Sequence, residues 1–103
     1  RLQNFLELLD THITNIKQVS QYAGRLNLST YQLNAITKAT VGKPASALIN
    51  EQIILEAKRY LLATPNQVKD IADYLGYEDI SYFIRFFRKH TGYTPEAFRK
   101  NSQ

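Results

Sequence analysis

Apolar residues recur along this chain at helical spacing, three and four positions apart, and no stretch alternates with the two-residue period of a strand between hairpin turns. The first run, Leu2 to His12, places Leu2, Phe5, Leu6, Leu8 and Leu9 largely on one side of a helix. A second helix is predicted over about Ile16 to Leu26, with Val19, Tyr22, Ala23 and Leu26 on its apolar face. After a break at Asn27-Leu28, Ser29-Thr30-Tyr31-Gln32 reads as a capping box, in which Ser29 accepts from the third helical amide and Gln32 reaches back. The helix it opens runs to Val41 and stops at Gly42. The longest periodic stretch, about Ala45 to Leu62, is a predicted rod of roughly 27 Å at about 1.5 Å per residue. Thr64-Pro65-Asn66 ends it. A fifth helix near Gln67 to Leu75 is followed by the break Gly76-Tyr77-Glu78-Asp79, and a sixth runs from Ile80 to His90. Thr94 then caps a short last helix with Pro95 at its first position.

Half of this pattern repeats the other half. Ala23 and Leu26 recur 49 residues on as Ala72 and Leu75, whereas Leu33, Ile36 and Gly42 recur 50 residues on as Phe83, Phe86 and Gly92. The offset changes by one inside the interhelical break, so the second copy has the longer turn. Two copies are too few for a solenoid, which needs about three. The expectation is an all-α fold of about seven helices: a first three-helix lobe over residues 1–44, a linker helix over 45–62 and a second lobe over 63–103.

A short helix, a tight turn and a second helix form a helix-turn-helix, whose second helix must show one face to its core and the other to the DNA major groove. In the sixth helix, Ile80, Phe83, Phe86, Phe87 and His90 fall on one broad side, while Ser81, Arg85, Arg88 and Lys89 fall opposite with Tyr82 beside them. In the third, Leu33, Ile36, Thr37 and Thr40 are expected inward, and Tyr31, Ala35 and Lys38 outward, flanked by Gln32 and Asn34. Gln32 and Asn34 are candidates for adenine edges, Arg85 for guanine, and Tyr31 or Ile84 for thymine methyl groups. The rod between the copies suits the roughly 34 Å that separates successive major grooves on one face of B-DNA. Two such faces, pointing the same way at the ends of a stiff connector, would read a bipartite site.

Composition narrows the picture without deciding it. The net charge of +4 over 103 residues permits nucleic-acid binding. No cysteine is present, which excludes disulfides, thiolate metal sites and thiol catalysis. No apolar run approaches the roughly 20 residues of a membrane span, and no basic-then-apolar leader opens the chain. A cytoplasmic setting is expected. The chain opens at Arg1 and has no methionine, so a piece of a longer protein is expected.

The second unit carries the motif residues Asp70-Ile71-Ala72, Leu75-Gly76-Tyr77, Ser81-Tyr82-Phe83, Arg85, Phe86-Phe87-Arg88-Lys89, Gly92, and Thr94-Pro95 through Phe98-Arg99. With Glu56-Ala57-Lys58 and Leu61-Leu62 in the connector, this arrangement closely resembles the DNA-binding domain of AraC-type bacterial transcription regulators, over about residues 5 to 100. The resemblance implies recognition helices in adjacent major grooves of double-stranded DNA. By position it implicates Ser29, Thr30, Tyr31, Gln32, Asn34, Ala35 and Lys38 in the first unit, and Ile80, Ser81, Tyr82, Ile84, Arg85, Arg88 and Lys89 in the second. It also implies an N-terminal domain for effector sensing or dimerisation, contact with RNA polymerase, and a role in transcription, activation included. Two positions depart from the family pattern. Ala35 stands where arginine is frequent, and Pro44-Ala45 replaces a small residue followed by proline at the start of the linker helix.

Two other readings compete. An enzyme finds little support: His12 and His90 are distant in sequence, and no phosphate-binding glycine loop, metal-ligand cluster or activated nucleophile is present, so neither cofactor nor metal is expected. The stronger alternative is a helical protein-interaction module, its aromatic residues forming a partner groove instead of a core.

Overall fold

Helices make up the regular structure of this computed structural model, which describes residues 1 to 102. They are α1 (Leu2–His12), α2 (Val19–Arg25), α3 (Thr30–Val41), α4 (Ala45–Ala63), α5 (Val68–Tyr74), α6 (Ile80–Thr91) and α7 (Pro95–Asn101). The chain divides into two compact units inside α4, the first being Arg1–Ile53 and the second starting at Ile54. Helix α4, which spans the stretch expected as a linker, contributes to both units. Ala45, Ile49 and Ile53, in the first unit, are buried, while Ile54, Ala57 and Leu61 join the core of the second.

In the first unit, Phe5 and Tyr22 meet edge to face with ring centroids 5.6 Å apart, beside the buried Leu9, Ile13 and Leu33. The second helix starts at Val19 instead of the expected Ile16, because Gln18 is extended (φ −97°, ψ 135°). Ile16 is nonetheless buried, and the Tyr22 hydroxyl donates to its carbonyl at 2.7 Å. Burial of that phenol pushes its pKa up to about 12, against a smaller opposing pull from Arg25.

The second unit's core gathers Val68, Ile71, Ala72 and Leu75 with Phe83 and Phe87 against the second half of α4. Arg99 of α7 fastens the end of that helix: its Nε donates to the Leu61 carbonyl at 2.8 Å and an Nη to the Thr64 carbonyl at 3.2 Å. These groups lie where a helix C-terminus leaves carbonyls without partners.

Both interhelical turns begin with the same backbone device. In the first unit Leu28 N–H donates to Ala23 C=O and Asn27 N–H to Gly24 C=O; in the second Tyr77 donates to Ala72 and Gly76 to Asp73, at 2.9 to 3.1 Å. This paired pattern closes a helix through a left-handed residue. Asn27 takes that role at φ 58° and Gly76 at φ 91°. The second turn then spends one further residue, Glu78, before its N-cap Asp79, whereas the first reaches its N-cap Ser29 directly after Leu28. That extra residue is the one-position slip in the repeat.

Candidate nucleic-acid interface

The second helix of each unit shows one face to its core and another to solvent. Along α3, Leu33 and Thr37 are buried, Ile36 is half-buried, and Thr30, Tyr31, Gln32, Ala35 and Lys38 are exposed. Along α6, Phe83 and Phe87 are buried, Phe86 is half-buried, and Ser81, Tyr82, Arg85, Arg88 and Lys89 are exposed. The burial pattern of residues 31 to 40 is that of residues 81 to 90, position by position.

Two inward assignments change. His90 is exposed, its ring centroid 4.5 Å from that of the half-buried Phe86, so it does not enter the core beside Phe83 and Phe87. Thr40 is exposed as well and donates back to the Ile36 carbonyl at 2.7 Å, which satisfies its hydroxyl along the helix. Both residues lie in the last turn of their helices.

The expected contact residues divide into displayed and committed side chains. Ser29, exposed, accepts from Gln32 N–H at 3.0 Å, and Gln32 Oε1 accepts from Ser29 N–H at 2.8 Å, closing the capping box. Asn34 is half-buried, and its Oδ1 accepts from Ala45 N–H at 2.8 Å. The expected placement of Asn34 beside the outward face, with an amide available to bases, therefore needs revision. Pro44 precedes α4 and offers no side-chain acceptor, so α3 supplies one from 11 residues away. In the second unit the cap is local, with Thr94 accepting from Ala97 N–H at 3.1 Å. Sequence spacing does not reveal the remote version.

Ile80 and Ile84 are half-buried and pack against the second core. With Val68, Pro95 and Arg99 they line a cleft of about 380 Å³, which places them at the edge of the packed interior instead of on the displayed face. Tyr82 is 53% exposed, and its ring lies 5.9 Å from that of Tyr77.

Charge separates the two faces. α6 carries Arg85, Arg88 and Lys89, and α3 carries Lys38. Among the described residues none of these four has an ionic or hydrogen-bonding partner, while Lys43 nearby is held by Glu51 at 2.7 Å. Unpaired cations on an exposed face suit anionic phosphates, since no internal ion pair must break first. Among the described residues no three His, Asp or Glu side chains gather as metal ligands, and no helix is long and apolar enough to cross a membrane.

These paired helix-turn-helix units define a class, and comparison with known proteins makes it specific. A profile described as a helix-turn-helix domain matches residues 22–101. The chain belongs to the AraC-type family of helix-turn-helix DNA-binding domains. It is 27% identical over 100 residues to the regulatory protein PocR of Salmonella typhimurium, covering 97% of this chain and 33% of that protein. It is 31% identical over 97 residues to the bifunctional transcriptional activator/DNA repair enzyme AdaA of Bacillus subtilis, covering 94% of this chain and 46% of that protein. The chain thus spans less than half the length of both relatives. In fold it is similar to the crystallised DNA-binding domain of AdpA, a global transcriptional factor in complex with a target DNA, at a TM-score of 0.85 and 21% identity, covering 97% of this chain and 90% of that one.

Proposed function

We propose that this domain binds double-stranded DNA sequence-specifically by inserting α3 and α6 into adjacent major grooves of one bipartite site, and that it does so as part of a bacterial transcription regulator. The observation that carries this reading is the recurrence of one design. Two helices with the same alternation of buried and exposed positions each follow a turn opened by the same backbone bonds, and both display unpaired cations. The family's DNA-binding character and the DNA-bound AdpA domain support it.

Under this reading Arg85 reads guanine through its O6 and N7 acceptors, while Arg88, Lys89 and Lys38 neutralise phosphates. α4, a single helix of 19 residues, joins the two units, so binding of one raises the effective concentration of the other at its groove. Relatives two to three times the length of this chain support a larger regulator, in which a further domain senses an effector or dimerises and RNA polymerase is the downstream partner. The setting would be cytoplasmic.

Selection of bound duplexes from random DNA, followed by a salt titration, tests the proposal. Two conserved half-sites centred about one helical turn apart are expected. Engagement of about six phosphates predicts a log–log slope of affinity against salt near −5. No enriched sequence, or binding nearly independent of salt, would favour a protein-interaction module instead.

A further inference from the structure

We propose that the first recognition helix selects its half-site by the C5-methyl groups of thymine, through Tyr31 and Ala35, and not by amide pairing with adenine. This rests on the DNA-binding reading above and narrows what α3 recognises.

Helix α3 carries two amide side chains, Gln32 and Asn34. Pairing with adenine uses both ends of an Asn or Gln amide: the oxygen accepts from N6 and the nitrogen donates to N7. Gln32 Oε1 is turned onto Ser29 N–H at 2.8 Å, and Asn34 Oδ1 onto Ala45 N–H at 2.8 Å. Swinging Asn34 outward would take the acceptor from the first amide of α4, and swinging Gln32 outward would open the reciprocal half of the capping box, leaving Ser29 Oγ as the cap of α3. Both amide oxygens that adenine pairing would use are therefore already engaged by backbone N–H groups.

From its first turn to Lys38, the displayed face of α3 offers two side chains with apolar surface, Tyr31 and Ala35. Tyr31 is 82% exposed, the highest value among the exposed large hydrophobic residues. Ala35, four positions on, is exposed on the same face, and Lys38 follows three positions later. The short side chain of Ala35 admits the helix backbone close to the groove floor. The phenol ring of Tyr31 offers an apolar wall beside it. In the major groove the one apolar feature presented by any of the four bases is the thymine methyl. At the position corresponding to Ala35, α6 carries Arg85, a long donor suited to guanine. The two helices would therefore read different chemistry, methyl groups at one end and paired acceptors at the other.

Deoxyuridine differs from thymidine only by that methyl, which makes it the direct probe. In a duplex recovered by selection from random DNA, each thymine is replaced singly and binding of the 103-residue chain is measured. At one or two positions the wild type is expected to bind about four-fold more weakly per methyl lost, equivalent to ~0.8 kcal/mol. Tyr31→Ala is expected to bind the thymine and deoxyuridine duplexes alike at those positions, and its exposed site leaves the fold intact. Wild-type insensitivity at every thymine, or a Tyr31→Ala variant as sensitive as the wild type, would overturn the inference while leaving DNA binding established. Failure to enrich any duplex would instead sink the DNA-binding reading itself.

Discussion

Helices α3 and α6 share a burial pattern and differ in almost everything they display. α6 carries three cations on or near its outer face and is capped by Asp79, which accepts from Ser81 N–H at 2.9 Å. α3 carries one cation, shows a tyrosine and an alanine, and has both amides tied to backbone N–H groups. The inward side of a helix-turn-helix is set by packing, which tolerates few shapes, whereas the outward side is free to diverge with the sequence it must read. Duplicated architecture therefore need not mean duplicated specificity. The difference also runs into stability: α7 is capped by the adjacent Thr94, while the first amide of α4 is capped by Asn34 of α3.

The comparison breaks most visibly at the core. Phe83 is fully buried opposite Arg85, so Phe83→Ala should cost about 3–5 kcal/mol. Chemical denaturation should show the second unit losing structure, and a melt unchanged from wild type would refute the shared burial pattern. On the outer face, Arg85→Ala should remove about 1–3 kcal/mol of discrimination at one guanine. Competition between selected and random duplexes measures this, and equal losses on both would make Arg85 a phosphate anchor. Ala35 at the corresponding position has no such term to lose.

The remote cap supplies a third contrast. Asn34→Ala should destabilise the first unit by about 1 kcal/mol, because Ala45 N–H loses its acceptor. Asn34→Asp, which keeps an oxygen in place, should retain most of that stability. An Asn34→Ala variant as stable as wild type would show that the bond carries no net stabilisation. The smallest effect belongs to Lys38→Ala. It should weaken binding uniformly across sequences and make the salt slope shallower by about one unit, and an unchanged slope would exclude a phosphate role.

Much of this was legible in the sequence because local signals agreed with one another. The capping box at Ser29 to Gln32, the glycine stops at Gly42 and Gly92, and the proline-led last helix all fall where spacing and residue type place them. The all-helical architecture and the AraC-type family follow from the same positions. Less legible was anything decided between segments. Periodicity extends the second helix back to Ile16 because that residue is apolar and buried, yet its burial comes from a turn held by the Tyr22 hydroxyl. His90 falls on the apolar side of a helical projection, yet it is exposed and its ring meets that of Phe86 instead of the core. Asn34 reads as a polar flank on a helical projection, and only the fold brings Ala45 N–H to it. A helical projection gives the direction of a side chain and says nothing of what waits there.

Backbone amide shifts of the domain, followed by NMR as a selected duplex is added, test the central claim most directly. The account predicts that Tyr31, Ala35 and Lys38 of α3 shift together with Ser81, Arg85 and Arg88 of α6, saturating at one duplex per chain. Shifts confined to α6, with α3 unmoved at saturation, would contradict the claim that both helices read DNA.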